Sequence, residues 1–171
     1  MPSAAPVLET ERLALRPYRQ SDFEAFARYF ASPRSIYTDG PVSRQTAWDL
    51  FCAGAGRWQI AGHGAWTIET RSDQTAVGLV SLNTAIALPD PELGWILWEG
   101  FEGCGYAFEA AQRARDFAVH TLNWPRLISG IHDENVNSIR LAERLGATLD
   151  PDLRLEAEPE TLFYRHTRPS P

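Results

Sequence analysis

The sequence predicts an α/β (α+β) domain: a mixed, mostly antiparallel sheet of about six or seven strands with a central parallel pair, flanked by about four helices. Three observations carry this. Two β-rich runs, 64–69 and 76–82, bracket a short polar turn at 71–74, so the middle of the chain reads as an antiparallel meander and not as strict strand–helix alternation. The apolar runs 92–98 and 126–132 are separated by a long segment with helical spacing, and strands joined through a helix pair in parallel. Between the first of these strands and the helix lies a glycine-rich turn, Gly100-Phe-Glu-Gly103-Cys-Gly105.

The elements follow in order. Residues 1–7 read as a loose end of one single domain spanning 1–171. Glu11-Arg-Leu-Ala-Leu-Arg16 alternates, with Leu13 and Leu15 on one side, and reads as a first strand closed by Pro17. Ser21-x-x-Glu24 has the form of a capping box, and Phe23, Phe26, Ala27 and Phe30 make one helical stripe that stops near Ser32-Pro33. Ser43 is placed to cap a second helix with Ala47, Trp48, Phe51, Cys52 and Ala55 at the same period. The irregular stretch 34–41 between these helices carries Tyr37, a candidate substrate wall or an anchoring surface aromatic.

After the meander, Pro89 and Pro91 break the chain before strand 92–98. The helix from about Gly105 to Leu122 carries Ala107, Ala110, Ala111, Ala114, Phe117 and Ala118 on one face, and Glu109, Gln112, Arg113, Arg115 and Asp116 on the other. Small alanines let such a helix lie close to a sheet. Asn135 is placed to cap a last helix, with Ser138, Leu141, Ala142 and Leu145 inward and Gly146 as a left-handed stop. Two strands near 148–150 and 161–166 close the chain, joined by an acidic loop with Glu156, Glu158 and Glu160.

Composition narrows the function classes. The 171 residues are 44% hydrophobic and 22% charged, ordinary for a globular domain. A net charge of −6 argues against nucleic acid as a partner and favours a cationic one. No apolar run reaches membrane-spanning length, and Met1-Pro-Ser-Ala-Ala-Pro6 lacks the blocks of a signal peptide. Cys52 and Cys104 suggest neither a disulfide framework nor a metal site, so the cytoplasm is the expected compartment. All 16 basic residues are arginine.

At the glycine turn, Gly103 and Gly105 permit positive φ and close approach of a ligand to the backbone. The first N–H groups of the following helix lack intrahelical partners, and an anion there would satisfy them. Gly-x-Gly alone reads equally as a relaxed strand–helix connection.

Four motifs, taken together, add a resemblance. Leu8-Glu-Thr-Glu-Arg-Leu-Ala-Leu-Arg-Pro17, Glu92-Leu-Gly-Trp-Ile-Leu97, Gly103-Cys-Gly-Tyr-Ala-Phe-Glu-Ala110 and Asn135-Val-Asn-Ser-Ile-Arg-Leu-Ala-Glu-Arg-Leu-Gly146 stand in an order that resembles the GNAT superfamily of N-acetyltransferases, in the branch that includes the ribosomal-protein N-terminal acetyltransferases. The resemblance covers almost all of residues 8–168. It implies that acetyl-CoA is the cosubstrate, held at its pyrophosphate by Gly103, Cys104, Gly105, Tyr106 and Ala107. It implies further that strands 92–98 and 126–132 splay apart to admit the pantetheine arm, beside Ile96, Leu97 and Trp98. Asn135 and Ser138 would face that arm, and a backbone N–H near Ile96 or Leu97 would polarise the thioester carbonyl. Two positions depart from the family. Gly100 stands where a Gln or Arg often precedes the turn, and Ala142 where many relatives carry an acidic Tyr, which leaves Ser138 or a water to protonate the thiolate.

Acetyl transfer to an amine needs a base, oxyanion stabilisation and a proton for the leaving sulfur. Glu92, at the start of the central strand, is the candidate base; it reads equally as a solvated strand-end charge. Tyr37, Trp66 and Trp95 are candidate acceptor contacts, as an aromatic wall or as core. The expected acceptor is a primary amine on a small molecule or a protein N-terminus, attacking directly in a ternary complex and attracted by the chain's acidity if cationic. A non-catalytic CoA-binding module is the alternative. Neither nucleic acid, membrane nor metal is expected as a partner, and the chain reads as a monomer or homodimer. His132 and Asp133 are adjacent, which does not by itself orient them as a pair.

Overall fold

A computed structural model describes residues 5–167. Twelve elements and two short 3-10 helices, Gln20–Asp22 and Pro33–Tyr37, make up the domain. The strands are β1 (Leu8–Glu9), β2 (Leu13–Arg16), β3 (Ala65–Thr70), β4 (Ala76–Asn83), β5 (Glu92–Leu97), β6 (Ile128–His132), β7 (Thr148–Asp150) and β8 (Thr161–Arg165). The helices are α1 (Phe23–Ala31), α2 (Arg44–Ala61), α3 (Tyr106–His120) and α4 (Val136–Arg144). One sheet runs β1-β2-β3-β4-β5-β6-β8-β7, antiparallel throughout except for the parallel β5–β6 pair. Among the described residues no helix is long and apolar enough to cross a membrane.

The strand beyond expectation is β1. Thr10 folds the chain back, its N–H donating to Leu13 O and its hydroxyl oxygen accepting the Leu13 N–H, each at 2.9 Å, so that β1 pairs with β2. The supposed loose end is tied down where it is described: Ala5 is buried and Pro6 O accepts the Trp66 indole N–H at 2.9 Å. Residues 1–4 lie outside the described residues.

The core lies between the sheet and α3. Leu13, Leu15, Ile68, Val77, Val80, Leu82 and Leu93 are essentially inaccessible, and each stabilises the fold by about 1.5–3 kcal/mol. Ala110, Ala111, Ala114 and Ala118 bring α3 flat against them, while Phe117 fills the space beside Trp58 and Trp66. Phe26, Phe30, Phe51, Leu79 and Trp98 form a second cluster under α1 and α2.

Three local expectations change. Asp22, not Ser21, starts α1: its carboxylate accepts from the Arg19 N–H, while Glu24 pairs with Arg44. The buried stripe of α2 is Ala47, Phe51, Gly54 and Trp58, which leaves Trp48, Cys52 and Ala55 outside. Gly54 lets Tyr18 pack close, its ring 3.3 Å from where a Cβ would stand. Arg115 is buried rather than solvated, because its guanidinium donates to Leu145 O and so satisfies the end of α4.

Candidate active site

The centre of the sheet is a fork. β5 and β6 share one register pair, Glu92 with Ile128, where the Ile128 N–H donates to Pro91 O at 2.9 Å. A regular parallel ladder would continue from the Gly130 N–H to Leu93 O. Instead, the Gly130 N–H donates to Glu92 Oε1 at 3.1 Å, and Leu93 O accepts the Ser129 hydroxyl at 2.6 Å. The strands part from there toward Leu97 and His132. Gly130 suits this close packing: a Cβ would crowd Glu92 Oε1 at 3.0 Å and the Phe163 ring at 3.1 Å.

Alternation along β5 decides which backbone groups line the fork. The Trp98 N–H donates to Val77 O, so Gly94, Ile96 and Trp98 turn their backbone groups to β4, and Leu93, Trp95 and Leu97 turn theirs to the fork. Ile96 and Trp98 are thereby corrected as backbone contacts: their N–H groups are spent on the sheet, and Trp98 packs among Phe26 and Tyr29. Leu97 and Trp95 are the residues whose backbone groups turn to the fork. Arg34, which sequence reasoning passed over, laps across the open end from the segment between α1 and α2. It donates to Leu97 O at 3.3 Å and pairs with Glu102 of the turn.

The turn after β5 takes the shape an anion seat needs. Gly100, Gly103 and Gly105 have φ of +89°, +76° and +80°, values that side chains disfavour. Gly105 is the N-cap of α3 and offers no side chain to the first N–H groups of the helix. Cys104 is exposed, and the Ala107 side chain faces the core. Glu109 does not point to the seat. It accepts from the Thr10 hydroxyl at 2.5 Å, the Arg12 N–H at 2.9 Å and Arg12 Nε at 2.7 Å, which clamps the β1–β2 turn onto α3. Arg12 Nη1 then reaches Cys104 O at 2.9 Å, and its guanidinium lies over the Tyr106 ring. A cation therefore stands at the turn where Gly100 supplies none. The Thr-Glu-Arg run before β2 carried this signal, but only the fold shows what it meets.

On β5, the Glu92 carboxyl lies against β6 and is pushed above its ordinary range, first by burial and further by the charges of Glu158 and Asp39. The Gly130 N–H opposes that rise but does not cancel it. His132 ends β6, its ring packed against Tyr37 with centroids 4.9 Å apart, and Tyr37 is 37% exposed. His132 Nδ1 also lies 3.2 Å from Asp133 Oδ1, so the two adjacent residues do face each other. Asn135 caps α4 by accepting the Ser138 N–H at 3.3 Å, and Ser138 is half-buried. Ala142 is 0% exposed, so no group at that position faces the fork. Trp95 is half-buried between two core clusters. Trp66 is corrected to a core residue: it is 0% exposed and boxed in by Trp58 and Phe117, so its ring is closed to a substrate.

With this geometry in place, relatives can be compared. The Acetyltransferase (GNAT) domain family matches residues 12–148, and the chain belongs to that family. The chain is 42% identical to the acetyltransferase from Agrobacterium tumefaciens str. C58, whose crystal structure aligns with a TM-score of 0.91 over 97% of this chain and 96% of that one. It is 20% identical over 146 residues, 81% of each chain, to the uncharacterized N-acetyltransferase YnaD of Bacillus subtilis (strain 168). RimL, a ribosomal L7/L12 alpha-N-protein acetyltransferase solved in complex with coenzyme A, shares the fold at 17% identity and a TM-score of 0.75, over 94% of this chain and 97% of that one. The protein is an acetyl-CoA-dependent acetyltransferase, with acetyl-CoA as cosubstrate. A fork with unspent N–H groups at Trp95 and Leu97, leading to a left-handed glycine turn beside Arg12, fits that molecule.

Proposed function

We propose that the protein transfers the acetyl group of acetyl-CoA to a primary amine, on a small molecule or a protein N-terminus, by direct attack in a ternary complex with Glu92 as general base. The observation that carries this is the Glu92 carboxyl at the fork, where one oxygen is held by Gly130 and nothing else in the described residues donates to the group. A raised carboxyl pKa brings the base closer to the proton it must take. The amine nitrogen bonds to the thioester carbon, its proton passes to Glu92 directly or through water, and the carbon–sulfur bond breaks. The Leu97 or Trp95 N–H stabilises the oxyanion, and Ser138 protonates the departing thiolate. In this reading Gly103, Cys104, Gly105, Tyr106 and Ala107 give backbone donors to the pyrophosphate, and Asn135 lies beside the arm.

Asp39 and Glu158, close enough to raise Glu92, give the acceptor side a negative field that favours a cationic amine. Tyr37 and Trp95 are the remaining aromatic contacts. Thiol release from acetyl-CoA across polyamines, aminoglycosides, amino acids and short peptides tests the acceptor class. Glu92→Gln tests the base: kcat should fall about a hundredfold at neutral pH with acetyl-CoA affinity nearly unchanged. An unchanged rate across pH would remove Glu92 from that role.

A further inference from the structure

We propose that Ser129 and His166 are positioning residues that keep the fork open by standing in for a rung of the sheet; this rests on the reading of the fork as the cofactor slot. Ser129, on β6, is 1% exposed. Its one hydroxyl proton goes to Leu93 O at 2.6 Å, which leaves its oxygen to accept from His166 Nε2 at 2.9 Å. His166 is therefore a neutral ring with its proton on Nε2. Burial, and then the charge of Arg115, push its pKa down to about 4, so this state persists through the neutral range. His166 is itself fixed just after β8, where its N–H donates to Leu127 O at 2.9 Å.

The relay from His166 through Ser129 ends on the one carbonyl that matters for closure. Leu93 O is the group the Gly130 N–H would take in an unbroken ladder, and the next bond would then run from the Trp95 N–H to Gly130 O. Leu93 O already has the hydroxyl as donor, and the Gly130 N–H has Glu92 Oε1 as acceptor. Each group at the branch point is satisfied without the other, so the first rung of closure only trades the Glu92 bond for another, and the Trp95 rung beyond it lacks that support. Remove the hydroxyl and the balance changes: Leu93 O becomes an orphan whose nearest remedy is the Gly130 N–H.

The test uses the full chain and two readouts, amide hydrogen exchange without cofactor and calorimetry with acetyl-CoA. In Ser129→Ala the Trp95 amide should exchange about tenfold more slowly than in the wild type, and the acetyl-CoA Kd should rise about tenfold. Ser129→Thr, which keeps the hydroxyl, should return both values toward wild type. Should Ser129→Ala fail to fold, His166→Leu releases the serine proton from its fixed direction and should move both readouts the same way. A lower melting temperature with Trp95 exchange and Kd unchanged would make Ser129 a packing residue and overturn the proposal. A wild-type chain that binds no acetyl-CoA would overturn the cofactor-slot reading instead, and the exchange measurement would still decide the wedge.

Discussion

Glu92 carries two demands that pull against each other. In the proposed role as base it must be ionised, yet its surroundings favour the proton. Its folded pKa lies above the unfolded value, so between the two the folded state binds more protons than the unfolded one. The stability from this group is fully present below the unfolded value and is lost as pH rises through the folded one. At neutral pH the group is therefore a net cost to folding, and Glu92→Gln should raise the melting temperature there while it lowers turnover. A melting temperature equal to or below that of the wild type would show that burial is not what shifts the group. Arg16 is the opposite case. It is buried between Asp22, held by two bonds of 2.8 and 2.9 Å, and Glu69 at 2.5 Å. Burial alone would raise the Asp22 carboxyl, but bonds from Arg16, the Arg19 N–H and Thr67 hold it below its usual range. Arg16→Met would strip the Asp22 carboxylate of its guanidinium and leave Glu69 only the exposed Arg19, at a cost of about 3–5 kcal/mol. Denaturant unfolding at pH 7 checks this, and a loss under 1 kcal/mol would mean that solvent already screens the pair.

At the level of elements, the glycine turn is supported from a distance of nearly a hundred residues. Glu109 spends its carboxylate on Thr10 and Arg12, and that grip brings the Arg12 guanidinium to Cys104 O. The motif residue thus acts on the turn through a neighbouring hairpin. Glu109→Gln should raise the KM for acetyl-CoA about tenfold with little change in kcat, the pattern of lost ground-state binding. A fall in kcat at constant KM would place Glu109 in the chemistry instead. The turn, the caps at Ser43 and Asn135 and the alanine face of α3 were legible in the sequence, because each is a local pattern. The partners of Glu109 were not, since they depend on which hairpin the fold lays beside α3. The same holds for Arg115, which periodicity puts on the outer face of its helix and tertiary packing puts under Leu145. Tryptophans were legible as large and apolar but not as core or site: Trp66 is closed in, while Trp95 borders the fork.

Over the whole molecule, order along the chain was enough to read the sheet apart from β1, since meander, crossover helix and terminal hairpin each restrict their strands to neighbours. The fork was expected only from the family resemblance, for nothing in strand composition says where pairing stops. Its basis is a contest for single hydrogen bonds at Leu93 and Gly130. That contest divides the sheet. β1 through β5 are continuously paired on one side, β6, β8 and β7 on the other, and one register pair joins the two. The two halves are therefore expected to open as separate cooperative units in the free protein, the smaller with β6, β8 and β7 exchanging its amides first. A ligand bridging both halves should fuse them into one unit. Exchange measured with and without acetyl-CoA would show that merger as a loss of the early phase; a single phase in the free protein would mean that α3, packed across the junction, already couples the halves. With the acetyl donor seated in the fork as proposed, it would serve the enzyme as a seam as well as a reagent, and each turnover would leave the two halves of the sheet briefly joined by one register pair.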